Sequence, residues 1–525
     1  MTPILITVAL LAQQVSAPVM VKTRIEGHVF NSLNGEAVPK ATVILRAHDE
    51  DRGQSYADET DGSGHFSIDD VDPGEYGAVA ERPGFTFQGT GATGAPPPDI
   101  KVEKGRQIKD LTIRLTPLGV IGGRVLDADG DPVRGAMVNA LSYVYQAGKK
   151  QLRNSEQVQS GDNGDFRLFG LRAGTFFLKA THFSRLGGQP QTVSTYYPGT
   201  SDERHATPVE LHAGAQLQGL DIRLQSAGTY SVRFNFAEGH PPNGEFSAFL
   251  LSEQGLLQHQ AVNSSSTDLV FAGVPAGSYN AVVSVPNADK QSYAIQHVEV
   301  ANADVDGGTL TLLPAVDVTG FVRVEGGTFR DLVKLNINLR TPRPFGPFGG
   351  VSSEVKADGS FLLKNAIPDA YELAINFVEG VYLKSVRIGD KQLTDRHIDL
   401  GSKVEPLTVV LGADVGEVEG AVQNAKGEPV VRARVNVIAY GDHAGRIDLS
   451  RLGFTDNKGE FKIKDVAPGE YKVFAWEDVP QGAPQNPEFR KPFEKQAAPI
   501  RMQPNGHEKV SLTAIVVPPE DRSSR

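Results

Sequence analysis

The chain has 525 residues, a formal net charge of −11 at pH 7 and no cysteine. This length exceeds what one hydrophobic core supports, so it predicts several domains. The lack of cysteine excludes disulfides and thiolate metal sites, and an acidic chain without a basic patch argues against nucleic acid as a partner. Its 56 glycines and 33 prolines separate short runs of β-branched and aromatic residues, which indicates an all-β protein.

The N-terminus has the pattern of an export signal. An apolar run from Ile4 to Ala12 precedes the small residues Ser16 and Ala17, so residues 1–19 are predicted to be a signal peptide. No lysine or arginine precedes the run and Pro18 follows the cleavage site, so the alternative is a buried strand or a misassigned start. No other run has the roughly 18 apolar residues of a membrane span. We therefore expect an exported protein that is periplasmic, at the cell surface or extracellular.

Each predicted domain opens with an alternating strand. The first, Ile25-x-Gly27-x-Val29, leads into the hairpin turn Asn34-Gly35. The same strand returns as Ile121-x-Gly123-x-Val125, Val318-x-Gly320-x-Val322 and Val418-x-Gly420-x-Val422, while the third domain keeps only the alternation from Tyr230 to Phe236.

A strand-turn-strand motif follows in every domain. In the first copy Gly64 breaks the chain, Phe66 and Ile68 alternate onto one face, and Pro73-Gly74 turns into the strand that carries Tyr76. Four further copies keep this spacing and end at Phe176, Tyr279, Tyr371 and Tyr471, a period of about 100 residues that corresponds to a whole domain. We predict that the motif aromatics are core residues: Phe66, Tyr76, Phe166, Phe176, Phe361, Tyr371, Phe461 and Tyr471. We also predict positive φ at the second turn, at Gly74, Gly174, Gly277, Asp369 and Gly469.

These patterns predict five tandem antiparallel β-sandwich domains. The boundaries are predicted at residues 20–116, 117–226, 227–314, 315–413 and 414–517, followed by a tail at 518–525. Linkers such as Thr116–Gly119 are too short for free motion. We therefore expect neighbouring domains to touch and to form a restrained string.

The paired motifs, Ile25-x-Gly27-x-Val29 and Gly64-x-Phe66-x-Ile68 with Tyr76, resemble the carboxypeptidase regulatory-like domain. That family has a transthyretin-like (prealbumin-like) sandwich, related to collagen-adhesin B-type repeats and carbohydrate-binding-like folds. The resemblance covers roughly residues 22–516 and implies the multi-copy type of exported bacterial protein without a catalytic domain. B-type repeats can form Lys–Asn isopeptide bonds between first and last strands. No such bond is expected, because those strands present Glu26, Arg124 and Glu419 with Thr112, Arg114, Asp221 and Arg223.

The sequence offers no catalytic constellation, so we expect no enzyme, no cofactor and no bound metal. No histidine has the His-x-x-Glu spacing of the carboxypeptidase zinc site. The nearest pair is His297 and Glu299, which lacks further ligands. Asp127, Asp129 and Asp131 begin like a calcium loop, but Pro132 stands where such a loop needs glycine, so a plain turn is favoured over calcium.

Exposed aromatics are the feature that suggests a glycan partner. Strand parity places Phe474 and Trp476 on the face opposite Tyr471, beside Glu477. The other candidates are Tyr196 with Tyr197 and Phe345 with Phe348. The favoured interpretation is that the proline-rich segment Val479–Pro499 folds back over Phe474 and Trp476, because a large apolar patch is rarely left exposed without use.

Two functions from different classes remain. The first is an exported, non-catalytic binding or adhesion protein, for example for a glycan or a cell-envelope protein. The second is a structural spacer or assembly subunit of the cell envelope. Phe474, Trp476, Glu477, Tyr196 and Tyr197 are the candidate ligand-binding residues of the first.

Overall fold

The computed structural model describes residues 23–47, 55–87, 99–186, 189–225, 228–237, 246–252, 257–260, 268–286, 290–329, 331–341, 350–376, 378–393, 396–401 and 404–518. The predicted signal peptide lies outside these ranges. Ten β-sheets occupy them, two in each of five consecutive stretches of chain, and each stretch encloses its own core of buried apolar side chains. The all-β sandwich prediction is confirmed, while the exact domain boundaries stay a prediction.

The chain divides by contacts into two compact units, Met1–Leu118 and Gly119–Arg525. The first sandwich forms the first unit, with sheet orders β4-β1-β8-β6 and β3-β2-β5-β7. Its strands are β1 (Thr23–Asn31), β2 (Thr42–Ala47), β3 (Ser55–Glu59), β4 (His65–Val71), β5 (Gly74–Glu81), β6 (Phe85–Phe87), β7 (Asp99–Val102) and β8 (Ile108–Pro117).

The second sandwich opens the second unit and has sheets β12-β9-β16 and β11-β10-β13-β14, with β17 beside β9 and β15 beside β13. Its strands are β9 (Gly119–Leu126), β10 (Met137–Gln146), β11 (Lys149–Gln159), β12 (Asp165–Leu171), β13 (Gly174–Leu186), β14 (Gln189–Tyr196), β15 (Val209–Leu211), β16 (Gln216–Leu217) and β17 (Ile222–Arg223), with a 3₁₀ turn at Glu203–His205.

The third sandwich has sheets β21-β18-β24 and β20-β19-β22-β23-β25. Its strands are β18 (Thr229–Phe236), β19 (Ser247–Ser252), β20 (Leu257–Gln260), β21 (Asp268–Pro275), β22 (Gly277–Val285), β23 (Ser292–Val300), β24 (Val305–Leu310) and β25 (Leu313–Pro314).

The fourth sandwich has sheets β29-β26-β34-β31-β32 and β28-β27-β30-β33. Its strands are β26 (Val316–Glu325), β27 (Asn336–Arg340), β28 (Gly350–Glu354), β29 (Ser360–Ala366), β30 (Ala370–Ile375), β31 (Tyr382–Ile388), β32 (Lys391–Gln392), β33 (His397–Asp399) and β34 (Leu407–Gly412), with a 3₁₀ turn at Leu332–Lys334.

The fifth sandwich has sheets β38-β35-β41 and β37-β36-β39-β40, with β42 beside β39. Its strands are β35 (Gly416–Gln423), β36 (Arg434–Ala439), β37 (Arg451–Phe454), β38 (Glu460–Val466), β39 (Gly469–Asp478), β40 (Ala498–Met502), β41 (His507–Thr513) and β42 (Ile515–Val516). Its one short helix is α1 (Pro487–Arg490), and 3₁₀ turns lie at Gly441–His443, Ile447–Leu449, Ala483–Gln485 and Lys491–Gln496. Among the described residues, no helix is long and apolar enough to cross a membrane.

The opening strand of every sandwich lies between an antiparallel partner and a parallel one. In the first sandwich β1 pairs antiparallel with β4 and parallel with the closing strand β8. Glycine is needed there, because a Cβ on Gly27 would lie 2.1 Å from the Leu111 carbonyl oxygen and 2.8 Å from the ring of Phe66. The repeated opening glycine is therefore explained by the crowding between three strands.

The motif aromatics are buried as predicted, Phe66 and Tyr76 at 1% exposure each. The other six, at 5% or less, are Phe166, Phe176, Phe361, Tyr371, Phe461 and Tyr471. In three copies the tyrosine hydroxyl also forms a hydrogen bond with the backbone. It donates to a backbone carbonyl from Tyr76 (Asp72, 2.9 Å) and Tyr279 (Pro275, 3.1 Å), and it accepts from the Ile367 amide at Tyr371 (3.0 Å).

The positive-φ prediction was wrong at three of its five positions. Gly174 and Gly469 do have positive φ, of 158° and 149°, but Gly74, Gly277 and Asp369 do not. In every copy a left-handed residue instead lies four positions after the first apolar residue of the motif, which is Phe66 in the first copy. These residues are Asp70, Gly170, Gly273, Asn365 and Asp465, with φ from 58° to 75°. It lies where the pairing with the opening strand shifts register, so the motif contains a β-bulge that favours Gly, Asn and Asp.

A buried hydroxyl ties two connections together in three sandwiches. In the first, Thr60 Oγ1 donates to the Val38 carbonyl (2.7 Å) and accepts from the Ala41 amide (2.8 Å). Ser160 and Thr455 make the equivalent pairs of bonds in the second and fifth sandwiches. These hydroxyls satisfy backbone groups that would otherwise be buried without partners.

Consecutive sandwiches of the second unit touch. Tyr293 of the third packs with Ile367 of the fourth. Tyr382 of the fourth lies in the core of the fifth, and the Gly380 amide donates to Asp465 Oδ1 (2.9 Å). The prediction that neighbours touch therefore holds within this unit. The prediction of a simple string of sandwiches does not hold, because the second sandwich also contacts the fifth.

Candidate functional site at the junction of the second and fifth sandwiches

Phe474 and Trp476 lie on the outer face of β39, as strand parity predicts. Tyr471, Val473 and Ala475 face the sandwich core, while Phe474 and Trp476 belong to a second, separate apolar cluster. The rings of Phe474 and Trp476 are stacked, with centroids 5.6 Å apart and planes 9° from parallel. The strand thus presents a flat aromatic surface away from its own core.

That surface is covered, as the favoured interpretation of the sequence predicts. Phe474 and Trp476 are both 0% exposed. Residues 479–497, here called the strap, fold back over them between β39 and β40. The ring of Phe493 meets the Trp476 ring edge-on at 5.2 Å, and Phe489 lies 5.9 Å from it. The structure therefore agrees with the covering interpretation, in which a long connection buries the large apolar rings beside it.

The strap is built from short turns that have proline at their first or second position. Asn486 caps α1 by accepting the Phe489 amide at 2.8 Å, and Pro487 occupies the first helical position. Lys472 on the outer face of β39 forms an ion pair with Glu494 of the strap and lies 4.0 Å from the ring centroid of Tyr440. The strap is consequently tied to the sheet by side chains.

The second sandwich closes over the strap from outside. Its hairpin β10–β11 turns at Ala147 and Gly148, both with positive φ. Asn486 Nδ2 donates to the Gly148 carbonyl at 2.9 Å, and the ring of Tyr145 meets Phe489 at 5.7 Å. A contact across 338 positions of sequence therefore joins the second and fifth sandwiches.

Polar side chains flank the covered rings. Glu477 is exposed, whereas Arg434 and Asn436, opposite Trp476 and Phe474 on β36, are each 5% exposed. Burial lowers the pKa of the Arg434 guanidinium to about 10, and the charge of Asp478 opposes that shift. The face beneath the strap is thus aromatic with a polar margin.

Tyr196 and Tyr197 lie in the second sandwich. Tyr196 ends β14 and is 7% exposed, with Lys179 Nζ 5.6 Å from its ring centroid. Burial, followed by the charge and hydrogen bond of Glu203, raises the pKa of its hydroxyl. Tyr197 is half-buried against the core. Tyr196 therefore offers no open ring face for stacking, and the role of the half-buried Tyr197 stays a prediction.

Sequence reasoning missed the aromatic surface beside Tyr196. Tyr143 of β10 packs edge-on against Phe177 of β13 at 5.5 Å, and Lys150 Nζ lies 4.7 Å from the Tyr143 centroid and 6.0 Å from that of Tyr145. Tyr143 and Phe177 are half-buried. Alternation along Tyr143-x-Tyr145 was the available signal, although it does not show that a neighbouring strand adds Phe177.

The remaining sequence candidates stay separate from this junction. Phe345 and Phe348 lie outside the described residues. His297 Nε2 and Glu299 Oε1 are 3.0 Å apart on the exposed side of β23. Asp127 Oδ1 accepts the amides of Asp129 and Asp131, the hydrogen bonding of a plain turn.

One group of possible metal ligands was also missed. Among the described residues, carboxylate oxygens of Glu417 and Glu419 and a ring nitrogen of His507 lie within 4.8 Å of one another. Lys462 Nζ is 2.7 Å from both carboxylates and Lys509 Nζ is 3.8 Å from that of Glu419, so two ammonium groups already balance their charge. The parallel pairing of β35 with β41 brings His507 there, and local sequence carries no signal for it.

The family model for the carboxypeptidase regulatory-like domain matches residues 24–116. No curated protein matches the sequence. Similar solved structures include a streptococcal ancillary pilin, with 8% identity over 55% of this chain and 99% of that chain and a TM-score of 0.22. They also include GBS52, the minor pilin of Streptococcus agalactiae (11% identity, 39% of this chain, 97% of that chain, TM-score 0.22).

A further similar structure is the shaft pilin SpaA of Lactobacillus rhamnosus GG, with 10% identity over 39% of this chain and 98% of that chain and a TM-score of 0.21. Such low identities and TM-scores support no conclusion about function. The predicted resemblance is confirmed by the family model at residues 24–116: this sandwich is similar to carboxypeptidase regulatory-like domains.

Proposed function

We propose that this chain is an exported, non-catalytic protein of the cell envelope that serves as a structural or assembly subunit. The observation that carries the proposal is that the largest aromatic cluster of the described residues is buried inside the protein. Trp476, Phe474 and Phe493 are buried against one another, and the hairpin β10–β11 packs on the strap that covers them. In this closed arrangement the aromatic cluster and the strap join the fifth sandwich to the second.

The contacts between sandwiches support the same role. Arg446 Nη2 donates to the Leu383 carbonyl at 2.7 Å and to Asp448 at 2.7 Å, and Arg396 lies 3.5 Å from Asp448. Charged side chains that are about four-fifths buried between the fourth and fifth sandwiches fix their relative orientation, because shifting them would leave charges unpaired. A structural spacer needs domains that keep a fixed relative orientation, and these contacts provide it for the fourth and fifth sandwiches.

A binding or adhesion role is the second candidate, and the surface of Tyr143, Phe177 and Lys150 favours it. These rings are partly accessible on the outer face of the second sandwich, with an ammonium group beside them. Ring faces with an adjacent hydrogen-bond donor suit a saccharide.

One experiment with the purified chain separates the two roles. Retention is measured on isolated cell envelopes stripped of polysaccharide and on immobilised polysaccharides in parallel. The structural role predicts saturable retention on the envelopes and none on polysaccharide. Retention on a polysaccharide that Tyr143→Ala abolishes would overturn it in favour of the binding role, and Phe169→Ala serves as the control because Phe169 is exposed elsewhere on the same sandwich.

A further inference from the structure

Three polar atoms on the outer face of β36 and β39 are buried without a partner. They are Trp476 Nε1, Arg434 Nε and Asn436 Oδ1, and no hydrogen-bonding group of the described residues reaches them. Their residues are 0%, 5% and 5% exposed. Donors and acceptors in this state are costly to bury, so the closed arrangement leaves a hydrogen-bonding demand unmet.

These atoms share one face. Arg434 is the cross-strand neighbour of Trp476, and Asn436 that of Phe474. The face offers two donors, one acceptor and the stacked aromatic pair, and Asp478 provides a negative charge near Arg434. Because the arginine charge is balanced, the complementary ligand is neutral. A sugar ring with hydroxyl groups provides both acceptors and donors together with an apolar ring face.

The strap that occupies this face supplies apolar rings instead. Phe489 and Phe493 contact Trp476, which is packing without hydrogen bonding. The strap has no strand pairing of its own between β39 and β40, only 3₁₀ turns and one four-residue helix. A segment held by side-chain contacts and local turns opens at lower cost than a strand of the sheet.

The hairpin β10–β11 restrains the strap at its outer surface. The bond from Asn486 to the Gly148 carbonyl and the ring contact of Tyr145 with Phe489 both act on α1, the part of the strap that precedes Phe493. Loss of these contacts leaves the strap with its own packing on the sheet.

We propose that the strap is a lid over a saccharide-binding face formed by Arg434, Asn436, Phe474 and Trp476, and that the hairpin β10–β11 is the latch that keeps it closed. A neutral saccharide takes the place of Phe489 and Phe493 when the latch releases. The proposal goes beyond the structural role: the closed strap serves that role, and a saccharide binds only after the latch releases.

Trp476 is the sole tryptophan, so tryptophan fluorescence of the whole chain reports on this face alone. Acrylamide quenching is compared between the wild-type chain and the double variant Tyr145→Ala, Asn486→Ala. The lid predicts a higher quenching constant and a red-shifted emission in the double variant. Val144→Ala is the matched control, since this exposed valine lies on the same hairpin. Unchanged quenching in the double variant overturns the latch.

The same variant tests the ligand. It is titrated with cellohexaose, maltohexaose and mannohexaose, and with polygalacturonate as the charged comparison. A neutral oligosaccharide that protects Trp476 from acrylamide, with protection lost on adding Asn436→Ala, supports the site. Circular dichroism spectra that match the wild type exclude unfolding as the cause of exposure. If Trp476 becomes accessible but no neutral oligosaccharide changes its quenching, or only polygalacturonate does, the proposed binding face is wrong.

Discussion

The first and fifth sandwiches share one interior and differ on one outer face. Tyr76, Ala78 and Ala80 of β5 correspond to Tyr471, Val473 and Ala475 of β39, and all six are buried in their cores. Thr60 and Thr455 make the same pair of hydrogen bonds. The first and fifth sandwiches, the two copies farthest apart in the sequence, therefore have the same internal packing.

The outward residues of the same strands differ in chemistry. Val79 is half-buried and Glu81 exposed in the first sandwich, where the fifth has the fully buried Phe474 and Trp476. The connection after this strand differs too, and in the fifth sandwich it is the strap. Alternation allows this separation, because neighbouring residues of a strand face opposite sides and change independently. The interior specifies the fold, and the outer face with its connection carries what distinguishes one domain from another.

The largest test of the shared interior removes its motif aromatic. Phe66→Ala and Phe461→Ala should each destabilise their own sandwich by about 3–5 kcal/mol, since each leaves a cavity at a side chain with 5% exposure or less. Hydrogen–deuterium exchange of peptides from each sandwich measures the effect. Phe169→Ala is the control, because this phenylalanine is 61% exposed. A large loss in one sandwich and almost none in the other would show that the two interiors are not equivalent.

The opening glycines give the next largest effect. Gly27→Ala and Gly420→Ala place a Cβ 2.1 Å and 2.0 Å from the closing strand's carbonyl oxygen, so each should cost about 3 kcal/mol through displaced backbone. Thermal unfolding combined with exchange measurements assigns the loss to the correct sandwich. Gly62→Ala should have almost no effect, because no atom lies within 4 Å of its Cβ position. Wild-type stability of both opening-glycine variants would rule out this close approach.

The sequence predicts those parts of the fold that depend on interactions between residues close together in the chain. The spacing of Phe66 and Tyr76 is local and recurs, so the strands, the turns and the buried aromatics were predictable. The left-handed residue of the first copy was predicted at Gly74 but lies at Asp70, because a left-handed aspartate resembles any turn residue in sequence. Parity also placed Trp476 on the outer face, and the proline-rich segment suggested its cover.

The long-range part of the candidate site had no sequence signal. The contact of Asn486 with Gly148 joins two loops without periodic pattern. The proximity of His507 to Glu417 depends on the parallel pairing of β35 with β41, and no local turn motif in the sequence predicts that pairing. Such contacts are fixed by the packing of whole sandwiches, and one sequence does not reveal which ones meet.

The buried hydroxyls give a smaller effect that should again be equal in both sandwiches. Thr60→Val and Thr455→Val keep the side-chain shape but leave one amide and one carbonyl without their partner. Each change should cost about 1–3 kcal/mol. Denaturant unfolding with exchange readout measures it, and Thr42→Val on the exposed side of β2 is the control. Should Thr60→Val and Thr455→Val match this control, the hydroxyl bonds contribute nothing measurable.

The smallest expected effect is a loss of stability in acid at the contact between the fourth and fifth sandwiches. Burial acts to raise the pKa of the Asp448 carboxyl, but the hydrogen bonds and charge of Arg446 and the charge of Arg396 outweigh it and lower that pKa. A carboxyl with a lowered folded-state pKa stabilises the fold above its unfolded value of about 3.9, and this contribution is lost as pH falls through the lower folded value. Acidification from about pH 5 to about pH 2 should therefore loosen the contact between the fourth and fifth sandwiches.

Asp448→Asn makes this response measurable. The variant cannot gain a proton at this position, so it should be less stable than the wild type at neutral pH and show a smaller loss of protection around residues 383 and 446 on acidification. Hydrogen–deuterium exchange, corrected for the intrinsic rate at each pH, follows both peptides. The first sandwich serves as the internal reference, since the variant leaves it unaltered. Equal acid sensitivity of the variant and the wild type at this contact would assign the response to other carboxylates and remove Asp448 from the explanation.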